Sequence, residues 1–380
     1  MPLICEFKMN KYRKIAFQRI VDSHFGKPFY MPFLLIRRID KRKFPDKIKH
    51  IAIFRLSSLG DSILLLPAIK NLKEKTGARI TIICANENLP VFEGQEFVDK
   101  IILLDNKILN PFKALKAIIK VRREKPDMVI DTTHSSNLSS FFSYFIGVYN
   151  IGFSNPTTKI KNKMYDKSTP LNLKRHMSLN YLDLFKLTGA EFEENKIKLV
   201  KPVFSKKEEL KMGELILDKK KLVGIHAISS PPHKKWDEEK FANLIKFLLS
   251  KGYNPVFTGS ISERMFAEEI INNLDQKSQE KIINLCGKTS TKELFALMGK
   301  LKFFIAIEGG PMHISASMNI PTLGIFSKAP EDPVAGLFGS YDQFRYYPYN
   351  GRSEAIYKDN INDLKFLEVK KMLGKLLKIK

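Results

Sequence analysis

Between Ile51 and Lys73 the chain carries an apolar, β-prone run (Ile51, Ile53, Phe54) and then the loop residues Ser57, Ser58, Leu59 and Gly60. Ile63, Leu64, Leu66, Ile69 and Leu72 follow at near-helical spacing. The pattern predicts a buried strand, a tight loop and a helix. Asp61 stands where that helix begins. An Asp there has two readings: its carboxylate caps the free N–H groups of the first turn, or it projects into a cleft at the carboxyl end of the strand, where open α/β sheets bind ligands. In the second reading Gly60 lets the backbone approach a ligand.

The alternation continues. Strands are predicted at Arg79 to Ala85, Val98 to Leu104 and Asp127 to Asp131, with helices at Pro111 to Lys125, Leu138 to Val148 and Met177 to Leu187. Residues 151–175, rich in Asn, Lys and Thr, read as an irregular loop. The pattern then restarts. Strands are expected at Leu222 to Ala227, Asn254 to Thr258, Ile282 to Leu285, Phe303 to Ile307 and Thr322 to Phe326, separated by helices, and a terminal helix is expected from Asn360 to Leu377. Strands alternating with helices imply parallel sheets, and two successive halves imply two Rossmann-like domains with a cleft between them. The expected divisions are 1–49, 50–200, 201–350 and 351–380.

Charge changes the picture. The 380 residues carry a formal net charge of +24, which implies an acidic partner: nucleic acid, an anionic membrane surface or phosphorylated substrates. Residues 1–49 hold 13 Lys/Arg against 4 Asp/Glu, interleaved with aromatic and aliphatic side chains such as Phe29, Tyr30, Phe33 and Leu34. That composition fits a basic amphipathic extension on a membrane interface, a helical pair packed on the body, or a nucleic-acid arm. No run reaches the ~18 apolar residues of a membrane span, and no cleavable-signal pattern opens the chain. Cys5, Cys84 and Cys286 are scattered without metal or redox spacing, which points to a reducing compartment. No His/Asp/Glu cluster has metal spacing, so no metal is expected.

In the second half, Gly309-Gly310-Pro311 joins a strand to a helix start, where backbone N–H groups and the helix dipole favour an anion. His313 lies in the first turn. Lys234 follows a Pro-rich loop and precedes Trp236 by two residues. Each feature also has an ordinary explanation: a glycine turn, a helix-face histidine, a solvated lysine. There is no P-loop and no GxGxxG fingerprint.

Taken together, RLSSLGDSILLLPAIKNLK, GIHAISSPPHKKWDEEKFANLIKFL, PVFTGSISER and NLCGKTSTKELFALMGKLKFFIAIEGGPMHISASMNIPTLGIF resemble glycosyltransferase family 9, the ADP-heptose:lipopolysaccharide heptosyltransferases, over roughly residues 50–345. The resemblance implies a GT-B fold, with two facing Rossmann-like domains, and an inverting transfer that needs no metal or other cofactor. It implies a nucleotide-sugar donor and a phosphorylated glycolipid acceptor at the inner face of the bacterial cytoplasmic membrane, with no specific nucleic acid. Asp61 matches the general base, with Ser57, Ser58 and Gly60 on the acceptor-side loop. Lys234 matches the lysine that contacts the donor phosphates. Glu263 falls near the donor ribose, Thr289 near the nucleobase, and Gly310 and His313 at the diphosphate. Where the family usually has Asp-Ser/Thr-Gly-Pro, with the Asp on the donor sugar, this chain has Glu308-Gly309-Gly310-Pro311, which leaves the sugar's identity open. The alternatives are a GT-B transferase or epimerase with another nucleotide-sugar, and a non-catalytic nucleic-acid-binding protein.

Overall fold

The computed structural model describes residues 42–377 except 57, 105–110, 135, 155–158, 217–219, 229–233 and 328–342. Ser57 and most of the basic N-terminal extension therefore lie outside the described residues.

The first half forms a six-stranded sheet in the order β3-β2-β1-β4-β5-β6. Its strands are β1 (His50–Arg55), β2 (Arg79–Ala85), β3 (Lys100–Leu104), β4 (Met128–Asp131), β5 (Tyr149–Ser154) and β6 (Lys167–Pro170). The second half repeats the design with β7 (Leu222–His226), β8 (Asn254–Phe257), β9 (Ile283–Asn284), β10 (Phe303–Ile307), β11 (Thr322–Ser327) and β12 (Glu354–Lys358). Its order is β12-β11-β10-β7-β8-β9, the same topology read from the other edge. All pairings are parallel. Each sheet reverses direction beside its first strand, at β1/β4 and at β7/β10, and those switch points are where open α/β sheets bind ligands. The GT-B arrangement of two Rossmann-like units is thus present in both topology and repetition.

Every residue of β1 is buried, as expected of a central strand covered on both faces. Helix α1 (Leu59–Thr76) is buried from Gly60 to Ile69, because it is wedged between its own sheet and the second half. It stops at Gly77, whose φ of 62° returns its N–H to Lys73 O. Among the described residues, the other helices of eight or more residues are α2 (Pro111–Arg123), α3 (Asn137–Phe145), α4 (Met177–Phe185), α5 (Lys206–Ile216), α6 (Glu238–Ser250), α7 (Arg264–Asn272), α8 (Thr291–Met298), α9 (Gly310–Ser317) and α10 (Phe366–Leu377). One cluster of buried apolar side chains runs through both halves, from Ile51 and Leu65 to Phe295, Leu297 and Met312.

Three expectations need correction. Residues 151–175 are not one irregular loop: they contain most of β5, a one-turn helix at Lys159–Lys163 and β6. β12 was not expected, being short and polar at the edge of its sheet. The terminal helix begins at Phe366, and Asn360 caps the separate 3₁₀ turn Ile361–Asp363. Helix α10 packs on the second half, where Val369 and Leu373 join the core of Trp236 and Phe241.

Candidate active site

The first centre stands at the β1/β4 switch point. Ser58 takes a φ of 69°, a conformation costing a non-glycine residue about 1–3 kcal/mol, and its Oγ accepts from Asp61 N at 3.3 Å. Ser58 is therefore the helix cap, and Asp61 keeps its carboxylate for other partners. Asp61 Oδ2 accepts from Arg55 Nη2 at 2.8 Å, and Oδ1 accepts from Tyr181 Oη on α4 at 3.2 Å. Arg55 Nη1 also donates to Tyr181 Oη at 3.0 Å and to Thr132 O at 3.1 Å. Arg55 and Asp61 are 2% and 4% exposed. Burial pushes the Asp61 carboxyl up, but the Arg55 guanidinium, His134, the Ser58 hydroxyl and His313 together outweigh it, and the group is held below its ordinary value. Asp61 is a carboxylate at neutral pH.

The loop after β4 is fixed by a second buried carboxylate. Asp131 Oδ2 accepts from Tyr165 Oη at 2.6 Å and Ser139 Oγ at 2.7 Å, and its Oδ1 accepts from Thr133 N at 2.9 Å. Lys161 lies 3.5 Å from Asp131 Oδ2, fully buried, and donates to Thr133 O and, at 3.2 Å, to Ser136 O. These bonds lock the segment carrying Thr132, which anchors Arg55, and His134, which senses Asp61. Burial pushes the His134 imidazole down to about 4 against the pull of Asp61.

The second centre stands at the β7/β10 switch point. Lys234 is buried and donates to Glu308 Oε1, just beyond β10. Burial draws the Lys234 ammonium down to about 7. Trp236 closes the core beneath it, donating from Nε1 to Leu364 O at 2.9 Å. His226 ends β7, with Nδ1 3.0 Å from Thr258 O. Because a carbonyl only accepts, Nδ1 carries a proton, and Nε2 faces Gly309, 3.5 Å from where a Cβ would stand. Among the described residues, Glu308 Oε2 and His313 Nδ1 are buried without a hydrogen-bond partner. Burial pushes the His313 imidazole down to about 4, against Asp61.

The two centres face each other. A Cβ on Gly60 would come within 2.6 Å of His313 Cδ2, and one on Gly310 within 3.3 Å of Leu59 Cβ. These glycines let the N-termini of α1 and α9 meet; the space beside Gly60, expected to admit a ligand, is filled by His313. Gly309 has a φ of 168°, extended backbone that any residue adopts. A second bridge joins the halves where the His176 ring stacks on Tyr349 at 4.4 Å and its Nε2 meets Tyr347 O at 3.2 Å.

Ser58, Gly60, Asp61, Gly310 and His313 are thus brought together, and Lys234 meets Glu308 beside Gly309. Glu263 and Thr289 lie farther along the same carboxyl edge, after β8 and β9. Glu263 Oε2 accepts from Ser260 N at 2.6 Å in a capping box. Thr289 precedes Ser290, the cap of α8. Sequence reasoning missed Tyr181, Asp131, Lys161, His134 and His226. Asp131 and His226 had a local signal, since each is the polar residue closing an apolar strand; Tyr181 had none.

The family profile described as glycosyltransferase family 9 (heptosyltransferase) matches residues 114–376. The chain belongs to glycosyltransferase family 9. Among curated relatives of this glycosyltransferase, lipopolysaccharide heptosyltransferase 1 of Campylobacter coli is 26% identical over 293 residues, covering 74% of this chain and 84% of the relative. Lipopolysaccharide heptosyltransferase 3 of Escherichia coli K12 is 24% identical, covering 70% of this chain and 79% of its own. In fold it is similar to a glycosyl transferase family 9 protein of Veillonella parvula, with a TM-score of 0.73 and 21% identity over 88% of this chain and 99% of that one. It is also similar to E. coli ADP-heptose lps heptosyltransferase II, with a TM-score of 0.71 and 18% identity over 86% and 98%.

Proposed function

We propose that this family 9 glycosyltransferase moves a heptose from ADP-heptose to a lipopolysaccharide core acceptor, with inversion and without a metal or other cofactor. The observation that carries the reading is the opposition of two unlike centres: an ionised Asp61 held on both oxygens, and across the junction Lys234, Glu308 and His313 at the head of α9. Support for the sugar and acceptor comes from relatives that are lipopolysaccharide heptosyltransferases and from E. coli heptosyltransferase WaaC, whose structure contains ADP.

Asp61 takes the proton of the acceptor hydroxyl as its oxygen attacks the anomeric carbon. The new C–O bond forms opposite the breaking bond to the diphosphate, whose oxygen keeps the electron pair; attack from the opposite face inverts the centre. Positive charge grows on the sugar as in glycoside chemistry. Negative charge grows on the departing ADP, where the Lys234 ammonium and the α9 N–H groups after Gly310 oppose it. An adjacent diphosphate also raises the Lys234 pKa and keeps it charged. Glu308 orients Lys234 and offers its free oxygen to a sugar hydroxyl. Glu263 and Thr289 line the way to the adenosine. Ser58 flanks the acceptor side.

A phosphorylated glycolipid acceptor on the cytoplasmic face of a membrane accounts for the net charge of +24 and for the basic residues 1–49, and leaves no role for a specific nucleic acid. The test is a mass-spectrometric screen of ADP-, UDP- and GDP-sugars with a core acceptor, with and without EDTA. The expected result is heptosyl transfer from ADP-heptose alone, unchanged by chelation. Turnover of another donor, or activity lost in EDTA and restored by magnesium, overturns the corresponding part of the reading.

A further inference from the structure

Helix α2 takes no part in this chemistry, yet its two sides differ sharply. Ile118 and Val121 are buried against Ile102, Leu104 and Phe142. On the opposite side Leu115 and Ile119, one turn apart, are 56% and 42% exposed. Lys116, Lys120 and Arg123 are exposed around them. At 100° per residue these five positions fall within one arc, so two aliphatic side chains form a ridge bordered by cations. Residues 111–123 contain no Asp or Glu. Single exposed leucines are ordinary on a protein surface. A paired apolar ridge on an all-basic helix face is the pattern of a segment that lies in a membrane interface.

We propose that the outer face of α2 docks on an anionic phospholipid surface, with Leu115 and Ile119 entering the headgroup boundary and Lys116, Lys120 and Arg123 meeting phosphates. Two placements favour that occupant. Helix α2 follows β3, so it starts at the carboxyl edge of the sheet that also carries Asp61. At its far end Arg122 Nε donates to Ile146 O at 3.1 Å, and nearby Arg42 donates to Val148 O at 2.8 Å and lies over the Tyr144 ring at 4.3 Å. Arg42 therefore stands beside the end of α2, and residues 1–41 of the sequence hold nine Lys/Arg against three Asp/Glu. Two neighbouring basic parts repel each other, so residues 1–41 are a poor cover for α2, and a single anionic plane attracts both. The inference takes its purpose from the glycolipid-acceptor reading, but its test does not use the acceptor.

The test is co-sedimentation of the full chain with vesicles of phosphatidylcholine, with and without phosphatidylglycerol, at low and high salt. Expected is binding that requires phosphatidylglycerol. Lys116→Glu with Lys120→Glu should weaken it at least tenfold at low salt. Leu115→Ser with Ile119→Ser should weaken it several-fold, most visibly at high salt, where charge is screened and the apolar ridge remains. Both variants change only exposed side chains and should retain wild-type melting and wild-type transfer to a short soluble acceptor. Wild-type vesicle binding by both variants assigns any attachment to residues 1–41 and overturns the proposal. So does absence of binding by the wild type. If the serine variant binds vesicles normally while the glutamate variant loses vesicles and RNA alike, the face is a general polyanion surface and the proposal also fails. Loss of transfer to the soluble acceptor by the wild type would instead strike the functional reading and leave the vesicle result standing.

Discussion

The two sheets share one strand order, and the carboxylates at their switch points are paired in opposite ways. In the first half both oxygens of Asp61 and both oxygens of Asp131 accept hydrogen bonds, from Arg55, Tyr181, Thr133, Ser139 and Tyr165. In the second, Glu308 uses one oxygen on Lys234, and its other oxygen and His313 Nδ1 are buried with no hydrogen-bond partner among the described residues. A buried polar atom left unsatisfied costs about 1–3 kcal/mol, so a fold keeps one where it serves something. The contrast teaches that topology fixes where chemistry occurs, and side-chain saturation fixes which chemistry. A saturated carboxylate is a fixed base. Unsaturated donors and acceptors are a binding surface for a polar donor.

The comparison can be broken first at Asp61. Asp61→Asn should lower turnover ~10²–10⁴-fold in steady-state transfer assays, the usual range for loss of a general base. From the sequence such a change is expected to leave the fold untouched. The 2.8 Å pair with Arg55 alters that expectation, because the guanidinium stays buried opposite a neutral amide, at about 3–5 kcal/mol. A folded variant with wild-type turnover reduces Asp61 to an ion-pair partner.

Saturation in the first half can be tested without touching Asp61. Lys161→Met leaves Asp131 buried without its cation and should lower the unfolding free energy by about 3–5 kcal/mol in urea titrations. Unchanged stability would mean that Tyr165 and Ser139 suffice.

A pH titration follows from the buried histidines of the junction. Burial lowers His313 to about 4 and His176 to about 3, against an ordinary value near 6.5. Between pH 6.5 and pH 4 the unfolded chain binds more protons than the folded one, so stability falls as pH falls. The protein should be less stable at pH 4.5 than at pH 7 by on the order of 5 kcal/mol, and His176→Asn should flatten the dependence. Asp61, with its lowered pKa, stabilises above the unfolded carboxyl value and loses that contribution only at lower pH. A flat urea midpoint between pH 7 and 4.5 contradicts the buried, neutral histidines.

The smallest of these effects is expected in the second half. Lys234→Met should raise the dissociation constant for ADP-heptose ~10–100-fold, the value of one charge-assisted contact, while the protein stays folded. Unaltered donor affinity would remove Lys234 from the diphosphate.

Much of this was legible in the chain. The buried run of β1, its loop and α1 follow from apolar spacing, and the Gly310–His313 turn follows from its place after β10. Sheet order was not legible, since pairing joins strands far apart in sequence. Nor were β6 and β12, because edge strands such as Lys167–Pro170 and Glu354–Lys358 carry polar residues and no apolar run. At the site, the motif located Asp61 and left its setting unseen. Arg55 opened the motif without a role of its own, and Tyr181 lies 120 residues from Asp61. Glu308 was expected at the donor sugar, and its bond to Lys234 depends on a fold that carries the loop after β7 to the end of β10.

The central claim is that base and donor site reside in different halves and can be lost separately. Calorimetric titration of the Asp61→Asn variant with ADP-heptose tests it most directly. The account predicts a dissociation constant within about threefold of the wild type in a variant that transfers essentially no sugar, a difference below ~0.7 kcal/mol. Loss of donor binding together with transfer would contradict it, because Asp61 would then belong to the donor site or to the shared scaffold.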